Sequence, residues 1–138
     1  MNLNIEDFFI EFWEQYSIER DVNQALHFDK DEHYNNVIGN EPLFTILTYL
    51  TDSEISTLIT PLEKENVDND TYQNKNNIII SQGEYFKQIT FDGGKYYHGR
   101  YNHNVNTDRK RLILGINIFK KQPTHDMFFS KDLYLKCV

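Results

Sequence analysis

Residues 27–33 read HFDKDEH, with two histidines and three acids, and form the densest group of potential metal ligands in the chain. In a helix, His27 and Asp31 would stand four residues apart on one face, where both could reach one cation. The spacing matches no zinc motif, and the glycine and bidentate glutamate of an EF-hand calcium loop are absent. The stretch is therefore typical of a solvated acidic helix end, and we predict neither a metal nor a cofactor.

A second group of reactive side chains lies in the aromatic stretch 83–103, GEYFKQITFDGGKYYHGRYNH. Two runs rich in aromatic and β-branched residues flank Gly93 and Gly94, which predicts a β-hairpin. A two-residue loop would place Lys87 opposite Arg100, and like charges across a ladder cost up to about 1 kcal/mol. A three-residue loop with a left-handed Gly94 avoids that pair, so we favour it.

The favoured register makes the hairpin a candidate pocket wall. It pairs Ile89 with Tyr97 and Tyr85 with Tyr101 on one face. The opposite face collects polar and ionisable side chains, among them Glu84, Tyr96, His98 and Arg100. Inside a concave sheet such a set would bind an anion or perform acid–base chemistry, whereas on a flat sheet it would simply face solvent.

Several other chemistries are excluded by the sequence. Cys137 is the single cysteine, no serine occupies a Gly-x-Ser-x-Gly elbow, and Gly93-Gly94 lacks the lysine and helix of a phosphate loop. Arg109-Lys110-Arg111 is the one basic cluster. It is a small footprint in a chain of pI about 5.1, so nucleic-acid binding is not expected.

The charges are distributed unevenly along the chain. Residues 1–75 carry 16 acidic and 4 basic residues, whereas residues 76–138 carry 5 acidic and 10 basic residues. This asymmetry indicates either a directed electrostatic surface or acidic helices packed on a sheet with basic edges.

Hydrophobic periodicity divides the chain into helical and extended segments. Apolar residues at helical spacing predict helices over residues 3–16, 18–28, 41–50 and 52–62. Alternating or β-branched runs predict strands over residues 78–81, 85–91, 96–103, 109–121 and 127–138.

These elements predict an α+β fold, in which N-terminal helices pack on a C-terminal antiparallel sheet of four or five strands. A curved, cone-like sheet is one form of that fold. We expect a single domain over residues 1–138. It would comprise a mainly helical, acidic part (1–62), a polar connector (63–77) and the sheet (78–138).

Two functions from different classes follow from these features. A small, acidic chain without catalytic motifs resembles the immunity proteins that neutralise toxins. The resemblance implies a protein partner, such as a basic toxin domain, that is blocked electrostatically and sterically. The acids assigned to that partner are Asp29, Asp31, Glu32, Glu63, Glu65, Asp68 and Asp70. The alternative is a small-molecule-binding or enzymatic domain whose pocket is lined by Glu84, Tyr96, His98 and Arg100.

The sequence indicates less about where the protein is located and whether it forms oligomers. A third role, in oligomerisation, would use pairing at the last strand. An acidic N-terminus, a single cysteine and no long apolar run predict a cytoplasmic protein that is not inserted in a membrane.

Overall fold

The computed structural model describes residues 8–19, 26–30, 40–63, 78–101, 107–121 and 135–136. Apart from Glu19, which is in a 3₁₀ conformation, all regular structure in these residues is β-strand. The strands are β1 (Phe9–Ile18), β2 (Phe44–Tyr49), β3 (Ser53–Glu63), β4 (Ile79–Gly83), β5 (Gln88–Phe91), β6 (Tyr96–Tyr101), β7 (Lys110–Phe119) and β8 (Leu135–Lys136). The described part contains no helix long and apolar enough to cross a bilayer.

The strands form two antiparallel sheets. The first has the order β5-β2-β7-β1-β8 and the second the order β4-β3-β6. The segment around His27 adds to the second sheet beside β6, through an antiparallel bridge between His27 and His98.

The pairing of these elements is nested along the chain. The first strand, β1, pairs with β7; the His27 segment pairs with β6; β2 pairs with β5; and β3 pairs with β4. Eight extended segments paired from the outermost to the innermost and rolled into two sheets form a jelly roll. In this topology β6 and β7 belong to different sheets, and their inward faces are turned toward each other.

The predicted α+β fold is wrong, because three of the four predicted helices are the strands β1, β2 and β3. In β1, Phe12 and Tyr16 are 40% and 57% exposed, while Trp13 between them points inward. Aromatic and β-branched residues suit a pleated surface, and ten consecutive residues of β1 pair with β7. That long-range ladder outweighs the local helical spacing.

The predicted hairpin is also wrong, because β5 and β6 are consecutive but lie in different sheets. The turn between them is closed by the amide of Tyr96, which donates to the carbonyl of Asp92 over 3.0 Å. Neither Gly93 nor Gly94 has a positive φ. The two glycines instead permit close approach: a Cβ on Gly94 would lie 2.8 Å from the Cβ of Glu41.

Four of the five predicted strands are confirmed, with different bounds, as β4, β5, β6 and β7. Most of the predicted strand 127–138 lies outside the described residues, as do most of the connector 63–77 and the middle of segment 18–28. The single-domain organisation stays a prediction.

The interior between the sheets is apolar at its centre and polar around it. Leu47, Tyr49 and Ile113 form the buried cluster, and Trp13 packs against it. The indole of Trp13 covers Gly115, where any Cβ would collide with the ring. The buried residues also include many polar ones: Glu19, Thr45, Ser53, Ser56, Thr57, Ser81, His98, Arg111 and Asn117. A polar interior of this extent indicates a site between the sheets.

Candidate metal centre

Backbone hydrogen bonds bring two distant segments of the chain together at this site. The amide of His27 donates to the carbonyl of His98 over 2.8 Å, and the amide of His98 donates back over 2.9 Å. The amide of Asp29 donates to the carbonyl of Gly93 over 2.9 Å. Because residues two apart on an extended chain project to the same side, His27 and Asp29 both point toward His98.

The three side chains converge on one point. Oδ1 of Asp29 lies 3.3 Å from Nε2 of His98 and 3.6 Å from Nε2 of His27. Their ligand-capable atoms all lie within 4.8 Å of one another, the only such group of three or more in the described residues. Two ligand atoms on one metal, each about 2.1 Å from it, lie roughly 3.0 to 3.4 Å apart in octahedral or tetrahedral geometry. The two distances from Asp29 are close to that range, and the remaining pair of ligand atoms lies within 4.8 Å.

The tautomer of His98 is set by its backbone neighbour. Nδ1 of His98 lies 2.9 Å from the carbonyl of Tyr96, and a carbonyl only accepts, so Nδ1 carries hydrogen. Nε2 therefore faces the carboxylate of Asp29; with a proton on Nε2 the ring is a cation that donates to Asp29, and without that proton the lone pair of Nε2 points at the carboxylate. Two such acceptors face each other only with a proton or a metal cation between them, and orientation through the second ring nitrogen is typical of metal-bound histidine.

Ring contacts hold the two imidazoles in place. The ring centroids of His27 and His98 are 4.6 Å apart, and the edge of Phe91 meets His98 with the centroids 4.7 Å apart. Because the side chain of His98 is 6% exposed and that of His27 is 40% exposed, the cluster opens toward solvent on the side of His27.

Asp29 is held in its ionised form. Burial opposes its ionisation, but hydrogen bonds with His27, His98 and Thr45, together with the charge of His98, keep the pKa of this carboxyl well below its usual range. The hydroxyl of Thr45 donates to Oδ2 of Asp29 over 2.5 Å, which leaves Oδ1 facing the histidines. Gly93 makes room for this arrangement, since a Cβ there would collide with both Asp29 and Thr45.

The cluster forms one wall of a cleft between the two sheets. The enclosed part of the cleft measures about 40 Å³, and a water molecule needs roughly 10 to 15 Å³ by this measure. Besides the three clustered residues, its lining consists of Trp13, Gln15, Leu47, Thr57, Gly99, Arg100, Arg111 and Ile113. Asp29 is therefore the only acid among the described residues that line the cleft.

Arg111 brings a buried positive charge to the same cleft. It is 1% exposed, with Nη1 donating to Gln15 over 3.1 Å and Nη2 to Thr57 over 3.4 Å. Its Nε has no hydrogen-bond partner. Burial lowers the pKa of the Arg111 guanidinium to about 10, against the opposing influence of Tyr49 and Glu19. A buried guanidinium with a vacant donor is suited to binding an anion.

The structure brings together only part of the predicted pocket. His98 and Arg100 line the cleft, whereas Tyr96 does not and lies beneath the ammonium of Lys95, 5.3 Å from its ring centroid. Glu84 is exposed and pairs with Lys87 in a turn over 3.3 Å.

The structure describes two of the seven acidic residues that were assigned to the partner-binding surface. The side chain of Asp29 is 12% exposed and faces the histidines. Glu63 ends β3 opposite Tyr96. Five of the predicted residues lie outside the described part: Asp31, Glu32, Glu65, Asp68 and Asp70.

Sequence reasoning considered the same stretch for metal binding, but with a different spacing. A helical His27–Asp31 pair was considered, whereas the observed pair is His27 and Asp29 on extended backbone. The signal that could have found it is the His-x-Asp spacing, which places both side chains on one side of a strand. Comparison of the chain with protein-family models, with curated proteins and with solved structures finds no match, so its chemistry is argued from geometry.

Proposed function

We propose that the protein is a metal-dependent oxygenase in which His27, Asp29 and His98 hold Fe(II) and a 2-oxo acid is the co-substrate. The observation that carries this proposal is the convergence of two imidazole nitrogens and one carboxylate oxygen on the wall of a cleft. Two histidines and one carboxylate with open positions beside them are the ligand set of non-haem Fe(II) oxygenases.

The donor set narrows the choice of metal. Calcium and magnesium favour oxygen ligands throughout, and two of the three donors here are nitrogens. Zinc accepts the same set when a water molecule completes its coordination. The buried guanidinium of Arg111 favours iron over zinc. It would bind an anionic co-substrate beside the metal, and the proposed iron oxygenase needs such a co-substrate.

Arg111 is the group that would bind this co-substrate. A dicarboxylic 2-oxo acid such as 2-oxoglutarate chelates a metal through its keto oxygen and adjacent carboxylate. Its far carboxylate would pair with the guanidinium of Arg111, whose Nε has no partner and whose neighbour Thr57 offers a hydroxyl. A planar guanidinium matches a carboxylate through two parallel hydrogen bonds.

The proposed reaction balances without a further reductant. One atom of dioxygen goes to the 2-oxo acid, which loses CO2 and becomes the carboxylic acid shorter by one carbon. The other atom enters a C–H bond of the substrate and gives an alcohol. Each organic reactant gives up two electrons, and the four together reduce dioxygen. Iron held by His27, Asp29 and His98 would supply the position at which dioxygen and the 2-oxo acid react.

The residues of the chain orient the reactants and exclude water. Asp29 offsets one of the two metal charges, and the carbonyl of Tyr96 fixes the ring of His98. Trp13, Leu47 and Ile113 form the apolar lining, which strengthens electrostatic interactions in the cleft by keeping water out. A cytoplasmic location is part of the proposal, since a reducing compartment keeps iron ferrous.

The protein-binding inhibitor and its basic partner stay predictions. One of the seven acids assigned to that partner, Asp29, has a side chain only 12% exposed, so it contributes little to an acidic surface. The enzymatic alternative is therefore the function that the described residues support best.

The oxygenase is tested by metal binding and by decarboxylation of the co-substrate. Metal-free protein is titrated with Fe(II) under argon and then given air and 2-oxoglutarate labelled at the carboxylate next to the keto group. We expect Fe(II) binding and Fe(II)-dependent release of labelled CO2, with both lost in His98→Ala and Asp29→Ala because each removes a ligand. Arg109→Gln is the control, since Arg109 is exposed and pairs with Glu54 outside the cleft.

Two results would contradict the proposal. One is a wild-type protein that does not retain Fe(II), or that retains it equally well after His98→Ala. The other is zinc binding at the three residues without any CO2 release, which would indicate a hydrolytic metal site.

A further inference from the structure

The outer face of the first sheet is apolar, although it points away from the interior between the sheets. In β7, Arg111 and every second residue after it are buried, so the residues between them point outward. These outward residues are Leu112, Leu114, Ile116 and Ile118. Because β7 is the middle strand of its sheet, they form the centre of the outer face. A strand that is apolar on both faces is typical of a sheet that is covered on both sides.

The neighbouring strands extend this apolar surface in both directions. Register partners project to the same side of a sheet, so Phe12 of β1 and Ile46 of β2 flank Ile116. Phe44 of β2 is the register partner of Ile118. Phe12 and Phe44 are 40% and 51% exposed, so the chain leaves this part of the face open. Large contiguous apolar patches are rare on monomeric proteins and mark interaction surfaces.

The size of the outer face is that of a stable interface. The sheet is five strands wide and up to ten residues long. At about 4.8 Å between strands and about 3.4 Å per residue, and allowing for the shorter edge strands, the face measures roughly 600 to 800 Å². Two such faces together exceed the roughly 1,000 Å² that a specific protein interface buries at the least.

The charges of the face favour a second copy of the chain as its occupant. Among the residues of β1, β2, β5 and β7, only Glu14 and Lys110 place a charge on this face. The two charges have opposite signs, so two copies of the face are electrostatically compatible, whereas a strongly charged partner would meet no complementary patch. Most soluble oligomers are symmetric assemblies of identical subunits, and homodimer interfaces are more apolar than transient ones.

We propose that the protein forms a two-fold symmetric dimer in which the outer faces of the two first sheets pack against each other. Sheets that pack face to face lie about 10 Å apart with interdigitating side chains, and the apolar residues of β7 would form the centre of this contact. The inference goes beyond the proposed oxygenase and does not depend on it. The His27 segment belongs to the second sheet, so the dimer leaves the open side of the metal centre in solvent.

Sedimentation velocity of the full chain tests whether the dimer exists. We expect the wild-type protein to sediment at twice its protomer mass of 16.5 kDa. Its dissociation constant should be about 1 µM or tighter, which is the range of interfaces of this size. A wild-type protein that stays monomeric at roughly 100 µM would overturn the inference, and the face would then bind a different protein or remain in solvent.

Single lysine substitutions test where the interface lies. Phe12→Lys and Phe44→Lys change exposed residues, so the protomer should fold. Each should weaken dimerisation at least about 100-fold, because a two-fold interface buries the unpaired charge twice. Tyr85→Lys is the matched control, since Tyr85 is an equally exposed aromatic residue in the turn after β4, outside this face. Circular dichroism shows that each variant is folded, and Phe12→Ser or Phe44→Ser replaces a lysine variant that is not.

Two further outcomes would overturn the inference. One is a dimer that withstands both Phe12→Lys and Phe44→Lys, which would place the contact elsewhere, as pairing at the last strand would. The other is a dimer that dissociates in Tyr85→Lys and not in the two phenylalanine variants, which would place the contact at the second sheet.

Discussion

Two polar regions lie between the sheets, and they are built in opposite ways. The metal end consists of His27, Asp29, Thr45 and His98. The arginine end consists of Glu19, Tyr49, Thr57 and Arg111. Buried polar groups are ordinarily hydrogen-bonded, so any atom that lacks a partner needs a reason.

The described buried side-chain atoms without a partner distinguish the two ends. They include Nε of Arg111 and Oε2 of Glu19 at the arginine end, and none belongs to the metal end. At the metal end, Thr45 and the carbonyl of Tyr96 instead orient Asp29 and His98. The side chains of the metal end are thus held in place by hydrogen bonds, whereas the arginine end has an open donor suited to an incoming anion.

The largest expected effect comes from removing the cation of the arginine end. Arg111→Leu should weaken 2-oxoglutarate binding by at least about 30-fold, because truncating one member of a buried charge pair costs roughly 2 to 5 kcal/mol. Fe(II) binding should change little, since the metal end is untouched. Calorimetry with each ligand measures both quantities.

Arg111→Lys is a second variant, for the case in which Arg111→Leu does not fold. It retains the charge but lacks the fork, so 2-oxoglutarate should still bind poorly. If both variants bound the co-substrate as the wild type does, the arginine end would not be its site.

A smaller effect is expected from removing a hydroxyl group that orients Asp29 at the metal end. Thr45→Val keeps the shape of the side chain and removes the hydroxyl that donates to Asp29. Loss of such an outer-shell partner typically costs about 10- to 100-fold in metal affinity. The measurement is an Fe(II) or Mn(II) titration.

Thr48→Val is the matched control on the same strand, because Thr48 points to the other side and accepts from Gln88 over 3.1 Å. Equal metal affinity in Thr45→Val and Thr48→Val would show that Asp29 does not depend on this hydroxyl.

The smallest effect concerns the space behind Asp29. Gly93→Ala inserts a methyl group against Asp29 and Thr45, and overpacking of this kind costs about 1 to 3 kcal/mol of unfolding free energy. Chemical denaturation measures that loss, with metal affinity as a second readout. A variant as stable as the wild type would mean that the turn can move away from Asp29. Co-substrate binding at the arginine end should be affected less than metal binding.

Some of this organisation was predictable from the sequence. Alternation of Leu112, Leu114 and Ile116 identified β7, and the aromatic run 96–103 identified β6, from which His98 and Arg100 both line the cleft. The strands of the first half were not predictable in this way. Phe12, Trp13 and similar residues satisfy helical spacing, but aromatic residues stabilise strands equally well once a partner strand is present.

The turn at Gly93 and Gly94 shows the same limit. A Gly-Gly pair between two β-branched runs indicates a tight hairpin, and nothing local shows that the flanking strands pair with β2 and β3 instead of each other. In the fold, the glycines are needed for close approach of Asp29, Thr45 and Glu41 to the backbone, a requirement set by residues far along the chain.

The sequence by itself determined the composition of the site: a histidine and an aspartate two residues apart, a second histidine, and arginines on two later strands. Only the tertiary structure decided that these groups meet. The meeting depends on backbone hydrogen bonds between the His27 segment and β6 and on the facing of β6 and β7 across two sheets. These contacts are stabilised by the pairing and packing of all the strands together, so the spacing of residues along the chain does not predict them.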